Sequence, residues 1–188
     1  MKAWGIAAAT LLLASSCVID EVREDEVGDA PACRATALWS HDWGSREDEL
    51  LDAINDARAT GAQCGDRMRD PVPDLELAPE LRCAARRHAV DQAETVAQNG
   101  AGTLSHDGSD GSSTLSRVDL AQYPGVPSHE LLAGDFLDAQ AVVDAWLESP
   151  AECEALLSST AAEFGPGFAR SQGGGVTAWV LLIGELRD

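Results

Sequence analysis

The chain has 188 residues, with 32 acidic and 13 basic side chains and a formal net charge of −19 at pH 7. This charge argues against nucleic acid and anionic lipid headgroups as partners, because both would be repelled. The chain from about Ala32 onward has the size of one domain, which is large enough to bury a core without a metal.

The first residues have the pattern of an export signal. Lys2 supplies a positive start, and the apolar run from Ile6 to Ala14 is too short to remain as a membrane-spanning helix. Small residues then lead to Cys17, as in a bacterial lipobox, whose cysteine becomes the lipidated first residue of the mature protein. The pattern predicts a signal peptide over residues 1–16 and a lipid anchor on Cys17, with ordinary secretion as the alternative.

Both alternatives place the mature protein outside the cytoplasm, in the cell envelope or beyond it. Val18, the residue after the cysteine, does not resemble a signal for retention in an inner membrane. If the host has two membranes, we therefore expect a lipoprotein of the outer membrane. The lipid chain is then the only predicted attachment of the protein to a membrane.

An acidic segment follows the anchor. The run DEVREDEVGD, from Asp20 to Asp29, has no apolar period. Charged sequence of this kind buries too little apolar surface to fold by itself. We therefore predict a solvated tether over residues 17–44, ahead of a domain that spans residues 45–185.

The remaining cysteines agree with export. Four of them follow the anchor, an even number in an oxidising compartment, so two disulfides are expected and three pairings are possible. None of the four has CxxC spacing, which argues against a zinc cluster. They are Cys33, Cys64, Cys83 and Cys153.

Two helices are predicted in the first half of the domain. The first begins at Ser45, whose hydroxyl can cap it, and ends at Gly61. The second begins at Pro79, where the missing N–H costs nothing, and ends near Asn99. Its inward face carries His88, and a lone histidine on an apolar face is more often a hydrogen-bonded core residue than a catalytic one.

The segment from Leu104 to Arg117 carries the strongest functional signal. It reads LSHDGSDGSSTLSR, and its histidine, His106, is positioned by the backbone of a glycine-rich loop rather than by core packing. The loop does not fit a calcium-binding motif, because only Asp110 falls at a required acidic position. The later pair His129–Glu130 does not fit the zinc-protease motif either, since the second histidine of that motif is missing.

The second half of the domain is predicted to contain two helices and two strands. The helices cover Asp138–Glu148 and Glu152–Leu157, with a proline between them that ends the first. The strands cover Phe164–Ala169 and Val176–Gly184 and are joined by a glycine-rich turn. The last strand is nearly all apolar, which is typical of a central strand covered on both faces.

An ordered set of motifs runs from about Ser45 to Gly184. In order, the motifs read INDAR, CG, PVPDLELAPEL, AARRHAVD, SHDGSDGSS, HELLAG, WLESPAEC and AWVLLIG. Together they resemble the CAP superfamily of cysteine-rich secretory, antigen 5 and pathogenesis-related proteins, and above all its bacterial, SCP-like branch. The resemblance implies an α+β fold, an α-β-α sandwich in which helices pack on a small antiparallel sheet.

The resemblance also implies a surface cleft lined by histidines and glutamates. His106 matches the histidine of the family's SH-G loop, Glu130 matches the glutamate of its GEN segment, and Glu152 stands where bacterial members have a further histidine. The chain also departs from the family at three other positions, which are His129, Leu131 and Leu181. The matching cysteines imply a Cys64–Cys153 disulfide, which leaves Cys33 to pair with Cys83.

These residues favour a binding module over an enzyme. Zinc prefers more nitrogen or sulfur donors than His106, Glu130 and Glu152 offer, although a hard divalent cation could use the two glutamates. No cofactor is predicted. The expected partner is an envelope protein, a glycan or an apolar lipid-like ligand, and the alternative is a metal-assisted, protease-like hydrolase that uses His106 and Glu130. A third interpretation treats the cleft residues as a polar network that holds the fold.

Overall fold

The computed structural model describes residues 21–100 and 103–187. The predicted signal peptide and the anchor Cys17 lie outside this range, so both stay predictions. Among the described helices, none is long and apolar enough to cross a membrane.

A four-stranded sheet forms the centre of the molecule. Its strands are β5 (Glu76–Leu77), β6 (Val126–Gly134), β7 (Glu163–Arg170) and β8 (Thr177–Glu185), in the spatial order β5-β7-β8-β6. Strands β6 and β7 both run antiparallel to β8, and only the two-residue β5 pairs in parallel. The nearly continuous burial of β8 confirms the prediction of a central strand covered on both faces.

Helices cover the two faces of this sheet. One face packs against α2 (His41–Thr60), α5 (Ala139–Glu148) and α6 (Pro150–Leu156). The opposite face packs against α3 (Pro79–Asn99) and α4 (Thr114–Ala121). Because side chains alternate along a strand, Leu131 and Leu181 enter the first core, whereas Leu132 and Leu182 lie on the second side. The layers confirm the predicted α-β-α sandwich.

Glycines in β7 let helix α3 lie directly on the sheet. A Cβ atom added to Gly165 would stand 2.1 Å from the backbone carbonyl carbon of Leu81, and one added to Gly167 would stand 2.4 Å from that of Ala85. Any side chain at these positions would push the helix away. This close approach sets the distance between α3 and the sheet, and with it the position of the polar residues of α3 that contact the neighbouring loop.

The acidic N-terminal segment differs from the predicted solvated tether. From Val22 onward it is part of the fold: β1 (Val22–Glu24) pairs with β2 (Leu38–Ser40), and a 3-10 turn (Pro31–Cys33) and α1 (Arg34–Ala37) lie between them. Buried ion pairs hold it there, because Arg86 binds Asp25 at 2.6 Å and Glu47 through its Nε at 3.0 Å. The ion pair of Asp25 therefore anchors this segment together with a few buried apolar residues, Val27, Ala30 and Cys33, which form no period in the sequence.

Two disulfides tie the layers together. The bridges are Cys33–Cys83 and Cys64–Cys153, the pairing that the family resemblance implies, so this prediction is confirmed. The first attaches the N-terminal segment to α3. The second attaches the hairpin of β3 (Ala62–Cys64) and β4 (Arg67–Arg69) to α6.

Several element boundaries differ from prediction. Helix α2 begins at His41 rather than Ser45, because the Ser40 side chain accepts a hydrogen bond from the Trp43 amide at its N-terminus. It ends at Gly61 as predicted, where φ is +72°. Helix α4 and strand β6 were not predicted at all. Helix α4 begins inside the glycine-rich segment, where Ser113 caps it by accepting from the Ser116 amide.

Candidate functional site

Helix α3 holds the backbone of the loop that carries His106. The Gln92 side-chain oxygen accepts from the Ser105 amide at 2.7 Å, and His88 Nε2 donates to the Ser105 carbonyl at 2.8 Å. Asp91, one helical turn after His88 in α3, accepts from the Ser109 amide at 2.9 Å through its carboxylate. The loop is thus fixed to a buried helix on both sides of His106 by side chains of α3, whereas the sequence predicted that the backbone of the glycine-rich loop positions the histidine.

His106 and Glu130 meet at the edge of the sheet. His106 Nδ1 lies 2.9 Å from a carboxylate oxygen of Glu130, which projects from the edge strand β6. The two side chains differ in exposure: 64% of the His106 side chain is accessible to solvent against 3% for Glu130. Since Nδ1 donates to the carboxylate, the Nε2 edge of the imidazole is left for contacts outside the protein.

The Glu130 carboxylate is fully engaged by its neighbours. Besides His106 it accepts from the Thr114 hydroxyl at 2.9 Å and from the Arg117 guanidinium at 2.8 Å. Arg117 also donates to the His106 carbonyl at 2.9 Å, so one cation binds both members of the pair. A buried carboxylate with an ionic partner and two further donors is well satisfied. Glu130 is therefore a positioning residue for the exposed histidine.

A shallow groove of about 360 Å³ opens beside the imidazole. Its floor is the start of β6, and its far wall is the first turn of α4. The lining combines apolar carbon with hydroxyl and imidazole groups, which suits contact with a polar ligand that also has an apolar face. The lining residues are His106, Thr114, Leu115, Pro127, Ser128, His129 and Glu130.

Glu152 does not join this pair. It lies in α6, which packs on the face of the sheet that carries Leu131, whereas Glu130 points to the α3 and α4 side. No hydrogen bond, ion pair or cavity of the described residues links Glu152 to His106 or Glu130. Of the three predicted cleft residues, the structure brings together two.

Another histidine, His88, is a core residue as predicted. Its side chain is 0% exposed, and its Nε2 bonds to the loop carbonyl of Ser105. Burial, together with the positive charge of Arg117, lowers the pKa of His88. The ring is therefore neutral at pH 7. Its Nδ1 has no hydrogen-bond partner in the described part of the chain.

The donor set does not fit a metal ion. Within residues 21–100 and 103–187 there is no group of three or more His, Cys, Asp or Glu side chains that could hold one. The only free donor of the pair is His106 Nε2, because the Glu130 oxygens already accept from Arg117, Thr114 and the imidazole. Zinc and calcium sites both need more ligands than this.

Sequence reasoning did not identify the residues that complete the site. Arg117 and Thr114 belong to α4, a helix of eight residues. Its N-terminal signal, a serine before the first helical residue, is shared by many turns. His129 also lines the groove. It was considered only as part of a protease motif that the chain does not contain and as a departure from the GEN segment of the family.

The chain is similar to known proteins in sequence pattern and in fold. The model of the cysteine-rich secretory protein family, CAP, matches residues 51–183. No curated protein sequence matches the chain. Three solved structures share the fold at low sequence identity, which supports the fold alone.

The first is an extracellular protein with an SCP domain from Bacillus anthracis, with a TM-score of 0.60, 17% identity and coverage of 78% of this chain and 41% of that one. The second is an outer surface protein from Borrelia burgdorferi, with a TM-score of 0.52, 20% identity and coverage of 78% and 93%. The third is a cysteine-rich secretory protein from Staphylococcus aureus, with a TM-score of 0.53, 14% identity and coverage of 79% and 40%. The chain thus spans about two fifths of the length of the first and third.

Proposed function

Because the chain belongs to the cysteine-rich secretory protein family, we propose that it is an exported binding module of the cell envelope that presents His106 to a ligand without catalysing a reaction. In this function the groove beside β6 is the contact surface. The ligand is taken from the classes expected from the sequence: an envelope protein, a glycan or an apolar lipid-like molecule.

One observation carries the proposal: the histidine is exposed while its carboxylate partner is saturated. Glu130 binds Arg117, Thr114 and His106 at 2.8–2.9 Å and is buried, so it fixes the ring and has no free oxygen for a substrate. An orienting carboxylate gives the imidazole a defined direction, which a binding site needs. A nucleophile or a set of metal ligands would have to come from elsewhere.

The family and the N-terminal sequence together support the proposed location. The similar structures from Bacillus anthracis and Borrelia burgdorferi are described as an extracellular and an outer surface protein. Two disulfides agree with an oxidising compartment. With the lipobox-like sequence at Cys17, these features support an envelope lipoprotein, in the outer membrane where two membranes exist.

The test is capture from the host envelope by the mature chain. Detergent-solubilised envelope is passed over immobilised protein, and the retained lipids, glycans and proteins are identified by mass spectrometry. The same molecule should bind the wild type and His41→Ala, and His106→Ala should retain it at least about tenfold less. His41 is a suitable control because it is an exposed histidine on α2. Equal retention by all three proteins would contradict the proposal.

One feature favours the alternative of a metal-assisted hydrolase. A carboxylate that binds one nitrogen of a histidine is the arrangement that orients metal-binding imidazoles in many enzymes, and Glu130 and His106 have it. Calorimetric titration of the metal-free protein with Zn²⁺ distinguishes the two functions. We expect no stoichiometric binding, because the described residues supply too few ligands. One tightly bound zinc that is lost in His106→Ala would favour the hydrolase.

A further inference from the structure

Strand β6 lies at an open edge of the central sheet. It pairs with β8 on one side, and no strand of the described residues pairs with its other side. The Asp135 amide donates to the Thr177 carbonyl, so this pair of residues is hydrogen-bonded across the two strands. Because hydrogen-bonded and non-bonded pairs alternate along an antiparallel ladder, the main-chain groups of Glu130, Leu132 and Gly134 point away from β8.

Solvent reaches this edge at two places. The Glu130 side chain is only 3% exposed, yet the residue as a whole is partly exposed, so its main chain accounts for most of the exposure. Gly134, which is all main chain, is also partly exposed. Between them the Leu132 carbonyl accepts from the Trp146 indole at 3.2 Å. Pro127 and the bulge after it interrupt the ladder before Glu130. The open edge is therefore short and fits a short strand.

A recess adjoins each end of this edge on the side of the sheet that α3 and α4 cover. At Glu130 it is the groove beside His106. At Gly134 it is a second recess of about 310 Å³. Glu130 and Gly134 are about 13 Å apart along the strand, and residues four apart in an added strand project from the same face. One added strand thus places two side chains in the two recesses. The apolar wall of the second recess consists of Val96, Leu104, Leu132 and Val176.

The charges beside this edge select a basic partner. Asp135 lines the second recess, and its carboxylate has no ion pair or hydrogen bond with the residues that the structure describes. None of the described residues that line the two recesses is a lysine or an arginine. The charge of Glu130 is already balanced by Arg117. A second copy of this chain, with its net charge of −19, would be repelled.

We propose that β6 is a docking edge for an extended segment of an envelope protein, which adds to the sheet as a short fifth strand. The main chain of the segment pairs with Glu130 and Gly134, two apolar side chains enter the recesses, and a basic residue faces Asp135. The inference rests on the proposed binding function and narrows its ligand classes to a protein. His106 then contacts the side chain that enters the groove.

The probe is a phage library of random nonapeptides, panned against the immobilised mature chain. The enriched peptides should carry two apolar residues four positions apart and at least one lysine or arginine. One such peptide is synthesised and added to the ¹⁵N-labelled chain, and amide hydrogen exchange is followed by NMR. The outward amides of Glu130 and Gly134 should exchange at least about tenfold more slowly in the complex. The inward amides of Leu131 and Ala133 are the internal reference.

Two pairs of variants test the charge and the groove. Asp135→Asn tolerates the left-handed backbone at this residue, where φ is +66°. It should raise the Kd of the peptide about threefold, since exposed charge pairs contribute little, whereas Asp52→Asn on the exposed face of α2 should not change it. Leu115→Ala in the groove should raise the Kd about fivefold, and Leu120→Ala, on the same helix but outside both recesses, should not.

Three results would overturn the docking edge. The first is a library that yields no enriched peptide or only acidic ones. The second is a bound peptide that leaves the Glu130 and Gly134 amides in fast exchange, and the third is a Kd unchanged in both Asp135→Asn and Leu115→Ala. A peptide of the second kind that requires His106 would show that the groove alone is the contact surface, which leaves the proposed binding function intact without an added strand.

Discussion

At the residue scale, the site depends on how one carboxylate is satisfied. Glu130 is buried, and Arg117 supplies its opposing charge at 2.8 Å. Neither side chain is more than 6% exposed, so each compensates a charge that would otherwise be buried without a partner. The exposed His106 adds a hydrogen bond but little burial. Glu130 and Arg117 therefore stabilise the site, and His106 is the residue that contacts the ligand.

Replacing Glu130 should therefore destabilise the protein strongly. Glu130→Gln keeps the shape of the side chain but leaves the Arg117 guanidinium buried without its counter-charge, and we expect a loss of about 3 kcal/mol in the free energy of unfolding. Urea denaturation measures the loss. The control is Glu152→Gln, which should change stability by less than about 0.5 kcal/mol because Glu152 lies outside the network. Equal losses of unfolding free energy in both variants would indicate that Glu152 takes part in the site.

His88 should make stability depend on pH. Burial and Arg117 lower the pKa of His88 below its ordinary value of 6.5, so the unfolded chain binds a proton more readily than the folded chain. The contribution of His88 is complete above pH 6.5 and is lost as the pH falls towards the lower folded-state pKa, by up to about 1.4 kcal/mol per pH unit.

The measurement is urea unfolding at pH 7.5 and 5.5. The wild type should lose more stability across this interval than His88→Gln, whose amide can still donate to the Ser105 carbonyl but does not titrate. An identical pH dependence in both proteins would mean that His88 is not held neutral.

At the scale of elements, those that bury a continuous apolar sequence were predicted, and those held mainly by other contacts were missed. Strand β8 was predicted because nearly all its residues are apolar. The N-terminal segment was misjudged because an ion pair from Asp25 to Arg86 and a few isolated apolar residues bury it, and neither leaves a period in a sequence. Strand β6 was missed because its first half, VPSHE, combines a proline with three polar residues at the edge of the sheet.

The missing strand also explains the error at Glu152. The family resemblance placed Glu130 and Glu152 in one cleft, but only an assigned strand shows which way each side chain points. Once β6 is known, the alternation of its residues puts Glu130 on the side of α4 and Leu131 on the side of α6. His106 was predicted from the glycines and serines of its own loop, whereas Gln92 and Asp91 of α3, which hold that loop, lie outside the segment and give no local signal.

The Cys33–Cys83 disulfide should stabilise the N-terminal segment more than it stabilises the rest of the fold. Cys33 and Cys83 are 50 residues apart, and in a chain-entropy model such a bridge contributes about 4 kcal/mol. In Cys33→Ala/Cys83→Ala, amide hydrogen exchange should accelerate most over residues 22–40. Cys64→Ala/Cys153→Ala is the matched control, with its fastest exchange expected in β3, β4 and α6. The same pattern in both variants would show that the segment has no separate stability.

At the scale of the whole molecule, the folded domain begins almost directly after the predicted anchor. Only four residues separate Cys17 from Val22, the first residue of β1. Fully extended, this stretch and its flanking bonds reach less than about 18 Å. An anchored protein would therefore sit close to the membrane surface rather than on a long flexible arm.

The anchor is tested by one substitution. Cys17→Ser in the full precursor should abolish labelling by a palmitate analogue in the host and move the protein from the membrane fraction to the soluble fraction, because the lipid is the only predicted attachment. Mature protein that stays in the membrane fraction without label would instead indicate a protein partner. Unlabelled wild type that is fully released would indicate ordinary secretion.

The most direct test of the account measures stability and binding together in His106→Ala. Because the imidazole is 64% exposed, the variant should keep its free energy of unfolding within about 0.5 kcal/mol. The same preparation should lose the envelope molecule that the wild type captures. A large loss of stability with capture unchanged would contradict the account and would make the pair of His106 and Glu130 a structural network.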